Sequence, residues 1–145
     1  MKNFKHKTPI QIRFKDVDMM GHVNNANYLT YIEDSRLKYF EDVTGKESDW
    51  SRQNGLILGK IEINYKHPIL YKDSVAVYTR CSRIGTKSFD LSWVIINENT
   101  SGNVGFEKQI LADGIAVLVC YDYEQKKSIK ISDERKKQIE KFEVE

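Results

Sequence analysis

The chain has 145 residues, of which 40% are hydrophobic and 30% charged, with a formal net charge of +2. This length suits one domain, 1–145, and the composition is too apolar for a disordered chain. Interspersed charges build no basic face for nucleic acid, and no apolar run is long enough to span a membrane, so neither partner is expected.

Met1 to Pro9 carries Lys2, Lys5 and Lys7 with no apolar run behind them, so no secretory signal is expected and the cytoplasm is the expected location. From Thr8 to Lys15, apolar Ile10, Ile12 and Phe14 alternate with polar Gln11, Arg13 and Lys15, the period of a half-buried strand. Asp16 to Asn25 breaks that period with Asp, Gly and Asn, residues that favour turns and helix caps. From Asn27 to Val43, the residues Tyr28, Tyr31, Ile32, Ser35, Tyr39 and Val43 recur three or four apart and predict one long helix with an apolar face. Asn24 or Asn25 supplies its N-cap, and Gly45 sits where a left-handed C-terminal cap is expected.

After a polar stretch around Ser48 to Gly55, the chain reads as a meander. Leu56 to Tyr65 is a strand closed by Lys66-His67-Pro68. Ser74 to Ile84 follows and turns at Gly85-Thr86-Lys87 into Ser88 to Asn97 as a hairpin. Asn97 to Gly105 is a polar loop, with a turn the expected role of Asn99-Thr100-Ser101, and Phe106 to Tyr123 is a long central strand. Ser132 to Glu143 is a short, highly charged helix expected on the surface. The order is strand, helix, then antiparallel strands without βαβ alternation. It predicts an α+β fold in which one helix covers a curved sheet. Unpaired sheet edges predict a homodimer or homotetramer. Cys81 and Cys120 have no further cysteine partners and read as buried small hydrophobes in a reducing compartment. His6 and His67 read as surface residues. No histidines stand at metal-ligand spacing, so no metal is expected.

The densest group of functional side chains is Asp16-Val17-Asp18-Met19-Met20-Gly21-His22-Val23-Asn24-Asn25-Ala26-Asn27-Tyr28. A helix start presents N–H groups without internal partners and a partial positive charge, so it can hold an oxygen that gains negative charge. Asp18 lies a few residues upstream, where a carboxylate can attack a carbonyl or activate water. Such a pair suits a thioester, whose sulfur donates little resonance to the carbonyl and leaves readily as thiolate. Asp16 is expected to order the turn. The tyrosines of the stripe are core, with the edge of Tyr28 available to an acyl pocket. Lys66, Arg83 and Lys87 are candidate contacts for phosphate groups of a substrate. Glu62 and Ser88 are candidates to position water across a subunit interface.

The run from Asp16 to Tyr28 resembles the signature of the 4-hydroxybenzoyl-CoA thioesterase-like branch of the hot-dog superfamily, and is similar to the matching loop of plant acyl-ACP thioesterases. Glu33 to Arg36, Tyr65 to Pro68 with Asp73, and Gly85 with Ser88 agree with it. The resemblance implies the hot-dog fold and hydrolysis of an acyl-CoA to a free acid and CoA, with no cofactor. It implies Asp18 as the catalytic carboxylate, the Asn25 N–H as the polarising donor with Asn24 beside it, and His22 as a second catalytic side chain. Met20 stands where the plant-like pattern has a catalytic Asn, and Asn25 where several bacterial relatives carry His or Tyr. The alternatives are hydrolysis of acyl-ACP and non-catalytic acyl-CoA binding.

Overall fold

A computed structural model describes residues 3–45, 50–99 and 109–144. The elements in chain order are β1 (His6–Ile10), a 3-10 turn (Phe14–Asp16), α1 (Asn25–Thr44), β2 (Gly55–Tyr65), β3 (Val75–Ile84), β4 (Ser88–Asn97), β5 (Gln109–Asp122), β6 (Lys127–Ser128) and α2 (Asp133–Val144). The strands form one antiparallel sheet in the order β1-β3-β4-β5-β2, with β6 paired to the end of β5. The expected loop from Asn97 to Gly105 and the first residues of the expected last strand lie largely outside the described residues.

α1 runs across one face of this sheet because its stripe is apolar at helical spacing. Tyr28, Tyr31 and Ile32 join Val75, Val77, Trp93, Ile95 and Leu111 in one buried cluster. One to two turns later, Tyr39 and Phe40 join Phe89, Leu91, Leu118 and Cys120 in a second. The expected covering helix is thus present, and Tyr28, Tyr31 and Tyr39 are core. Asn24 caps α1 by accepting the Ala26 N–H at 2.9 Å. Gly45 ends it with φ +60°, a conformation that favours glycine, while its N–H donates to Glu41 O. The helix packs on β1 and β3, and at its first turn the Tyr28 ring meets Tyr65 at the end of β2.

Three expectations need correction. The first strand stops at Ile10 instead of running to Lys15. The Asp16 carboxylate accepts the Arg13 N–H at 3.1 Å, which draws residues 14–16 into a turn and leaves Phe14 83% exposed. His6 is not a surface residue. It is 5% exposed, its Nε2 lies 2.7 Å from Asp42 Oδ2, and its ring meets Tyr39 edge-on. α2 is not a surface appendage either, because Ile139 and Arg135 are 0% exposed. Ile139 belongs to the second core cluster, and the Arg135 guanidinium stacks 3.8 Å over Trp50 while donating to Asn54 O. Glu143 fixes the end of α2 by accepting the Tyr39 hydroxyl and the Cys81 N–H.

If α2 is part of the core, Ile139→Ala lowers stability by about 2–5 kcal/mol in urea unfolding, the usual cost of emptying a buried aliphatic site. Exposed Lys141→Ala on the same helix shifts it by less than about 0.5 kcal/mol. Equal midpoints for the two variants would return α2 to the surface.

Candidate active site

The loop between β1 and α1 is held by the side chain that precedes the candidate carboxylate. Asp16 is 1% exposed. Its carboxylate accepts the Tyr31 hydroxyl at 2.7 Å, the Arg13 N–H at 3.1 Å and the Arg13 guanidinium at 3.2 Å. Burial alone pushes this carboxyl up, yet the bonds from Tyr31 and Arg13 together hold it below the ordinary carboxylate value. The same contact and burial raise the Tyr31 phenol. The Asp16 backbone oxygen accepts the Asn24 N–H at 2.8 Å and the Asn27 side-chain amide at 3.0 Å. One residue therefore joins the loop, the helix start and the helix face.

Asp18 follows in an exposed turn. Its Oδ1 accepts the Met20 N–H at 2.9 Å and the His22 N–H at 3.4 Å, and Gly21 closes the turn with φ +84°. Oδ2 makes no hydrogen bond with any described residue. One oxygen orients the carboxylate and the other is left for chemistry. The turn is sewn to the segment after β2 by a His22–Leu70 bridge and by the Val23 N–H donating to Ile69 O at 2.8 Å. That stitching places Tyr65, Lys66, His67 and Pro68 opposite the helix start.

Asp18, His22, Val23, Asn25, Tyr28, Tyr65, Lys66, His67 and Pro68 enclose a cleft of about 280 Å³. At its helix end, the Asn24 N–H is taken by Asp16 O, the Ala26 N–H by the Asn24 side chain and the Asn27 N–H by Asn24 O. The Asn25 N–H has no acceptor among the described residues. The first turn of α1 also carries no acidic side chain to neutralise its partial positive charge. An unengaged donor on the positive end of a helix, in one cleft with a half-engaged carboxylate, can stabilise a carbonyl oxygen while the carboxylate acts on the carbon.

Of the residues expected at the site, Asp18, His22, Asn25, Tyr28 and Lys66 line this cleft, and Asn24 caps the helix beneath it. Lys87 and Ser88 do not line it. They belong to the β3–β4 turn, where Ser88 Oγ accepts from Arg83 at 3.0 Å. Lys66 is held at the rim by Asp113, 3.3 Å from its Nζ, and Asn64 donates to the same carboxylate. Tyr65, read from the sequence as a strand end and as part of the Tyr65 to Pro68 match but not as a site residue, stands edge-on to Tyr28 with ring centres 4.9 Å apart. His67, read as a surface residue, is exposed and yet part of the cleft wall. The signal for both was Pro68, which stops β2 and turns the chain toward the loop. Both cysteines are buried, and burial pushes the Cys81 thiol up to about 12, so neither offers a thiolate nucleophile.

The Asp16 contacts set the stability of this loop. Tyr31→Phe costs about 1–3 kcal/mol, because a buried carboxylate loses a donor. A carboxyl held below its ordinary value stabilises the fold at neutral pH, and that part is lost as pH falls from about 4 downward through the folded value. The gap in stability between wild type and Asp16→Asn in urea titrations is therefore expected to narrow as pH falls through that window. A constant gap would mean that the charge of Asp16 is not what holds the loop.

Comparison with known proteins gives a consistent picture. The family model of the Thioesterase-like superfamily matches residues 12–139. The long-chain acyl-CoA thioesterase FadM of Escherichia coli (strain K12) is 27% identical over 136 residues, covering 94% of this chain and 98% of that protein. Among solved structures, a thioesterase from Thermus thermophilus, complexed with coenzyme A and Zn, aligns with a TM-score of 0.82 at 27% identity over 100% of this chain and 98% of that one. YbaW, a probable thioesterase from Escherichia coli, aligns with a TM-score of 0.75 at 27% identity over 93% and 96%. With a helix laid across a five-strand antiparallel path and the loop signature at its start, this chain belongs to the thioesterase-like superfamily and has its hot-dog fold.

Proposed function

We propose that the chain hydrolyses acyl-CoA thioesters to a carboxylic acid and CoA, with Asp18 as the working carboxylate and the Asn25 N–H as the donor to the thioester oxygen. The observation that carries this reading is the Asn25 N–H at the start of α1, in the same cleft as Asp18 Oδ2, neither of which has a hydrogen-bond partner among the described residues. As the carbon becomes tetrahedral, its oxygen gains charge and the Asn25 N–H strengthens its bond to it, so the interaction favours the transition state. The carbonyl then re-forms and the C–S bond breaks, releasing a thiolate that needs little help from an acid. Water supplies hydroxyl to the acyl group and a proton to the thiolate, so the reaction balances without a cofactor. His22, on the cleft wall, is the side chain that passes this proton. Tyr28 and Tyr65 flank the acyl carbon, Lys66 meets the carrier at the rim, and Asn24 holds the helix start in register.

The chain acts as a homodimer or a larger homo-oligomer in this reading. β2 is an unpaired edge of 11 residues bearing exposed Ile57, Leu58 and Tyr65, and such an edge is most simply covered by a second copy. Lys87 and Ser88, remote from the cleft of their own chain, are then the contribution of a neighbouring copy to the CoA. Free Cys81 and Cys120 support a reducing compartment, the cytoplasm.

Asp18→Asn keeps an oxygen for the Met20 and His22 amides and removes only the charge. It is expected to lower CoA thiol release by at least about 100-fold, the usual scale for losing a positioned acid–base group, with an unchanged melting curve. Rates equal to wild type would remove Asp18 from the reaction. Sedimentation equilibrium is expected to give at least twice the 17.0 kDa of one chain, and a mass of one chain would reject the shared site.

A further inference from the structure

Resting on that hydrolase reading, we propose that the groove between α1 and β2 receives the acyl chain and that Arg36 selects chains carrying a hydroxyl or keto oxygen far from the thioester. A second, larger cleft of about 560 Å³ lies at the other end of these two elements, lined by Arg36, Leu37 and Phe40 from α1, by Leu56 and Leu58 from β2, and by Trp50. Its volume is about twice that of the first cleft and its wall is mainly apolar, which fits a hydrocarbon chain.

Both clefts lie between α1 and β2. On α1, Asn25, Leu29, Arg36 and Phe40 fall within about 60° of one another around the helix axis and so lie along one face, from the unengaged amide to the larger cleft. On β2, Tyr65 walls the first cleft, and Leu58 and Leu56 wall the second. Leu29 is exposed between the two clefts, and Leu37 and Leu58 are exposed in the wall of the second. At the helical rise, Asn25 to Arg36 spans about 16 Å, roughly the reach of a dozen extended carbon atoms.

Arg36 is the odd residue in this apolar space. It is partly buried, and it makes no hydrogen bond or ion pair with any described residue, although Glu33 lies one turn away. Burial pulls its guanidinium below the ordinary value, as expected for a charge short of water. A planar donor with no acceptor in a partly dry cleft gains by meeting an oxygen. Glu33 and Glu41 line the same cleft and oppose a second anion, so a neutral oxygen is the better partner than a carboxylate.

The test compares kcat/KM for octadecanoyl-CoA and its 12-hydroxy derivative on the same preparation of the full-length protein, so that the amount of folded enzyme cancels in the ratio. Wild type is expected to favour the hydroxy chain by about tenfold or more. The ratio falls toward one in Arg36→Gln and is partly kept in Arg36→Lys. A wild-type ratio near one overturns the proposal. So does a loss of oligomer mass in Arg36→Gln, which would assign the guanidinium to a subunit contact. Absence of thiol release from either substrate is a different failure, since it removes the hydrolase reading beneath.

Discussion

The buried carboxylate of Asp16 is the contact on which the rest of the site depends. A charge in a dry position is costly unless hydrogen bonds satisfy it, and three donors from Tyr31 and Arg13 do so here. Tyr31 sits on the helix face that also packs on the sheet, so the loop takes its position from the core rather than from local turn preference. Two residues on, Asp18 inherits that position. The residue that fixes the loop and the residue proposed to act in the cleft are separate side chains with opposite exposure. A fully buried carboxylate could not meet a substrate, and a fully exposed one could not hold the loop.

Much of this organisation was legible in the chain. β4 is predicted from Ser88 to Asn97 and is found there, because Gly85-Thr86-Lys87 bounds it at one end and Phe89, Leu91 and Trp93 alternate with polar residues along its first half. The stripe from Tyr28 to Tyr39 was legible because a helix over a sheet repeats the same contact every turn. The first strand was misread beyond Ile10, since the alternation of Ile12 and Phe14 continues into a turn that only the Asp16 carboxylate reveals. His6 and Arg135 were hidden for the same reason. Each is buried against distant partners, Tyr39 and Phe142 for one and Trp50 for the other, and no local pattern announces a polar side chain that will be stacked after folding.

The site divides in the same way. The loop and helix start lie within 13 consecutive residues, from Asp16 to Tyr28, so capping rules place the helix start and the family resemblance supplies the roles expected of Asp18, His22 and Asn25. The opposite wall, Tyr65 to Pro68, comes from the end of β2, and its approach depends on the bridge from His22 to Leu70. Sequence pattern offers residue types for that wall and says nothing about which turn it faces. Pairing between distant segments is the part of a fold that local rules do not encode.

A helix start in a stable protein commonly carries Asp or Glu in its first turn, which gains about 0.3–1 kcal/mol from the helix field. α1 begins Asn25-Ala26-Asn27 and forgoes that gain. Neutral Asn24 caps the Ala26 and Asn27 amides, so the field is left without a fixed counter-charge and one amide without an acceptor among the described residues. The two nearby carboxylates do not cancel it. Asp16 is committed to Tyr31 and Arg13, and Asp18 spends one oxygen on its own turn. An acidic cap would make the helix more stable and would fill with permanent charge the spot where a substrate oxygen becomes negative only in passing. In the proposed reaction, the neutral cap therefore trades a small part of folding stability for a positive site that a substrate oxygen fills only in passing.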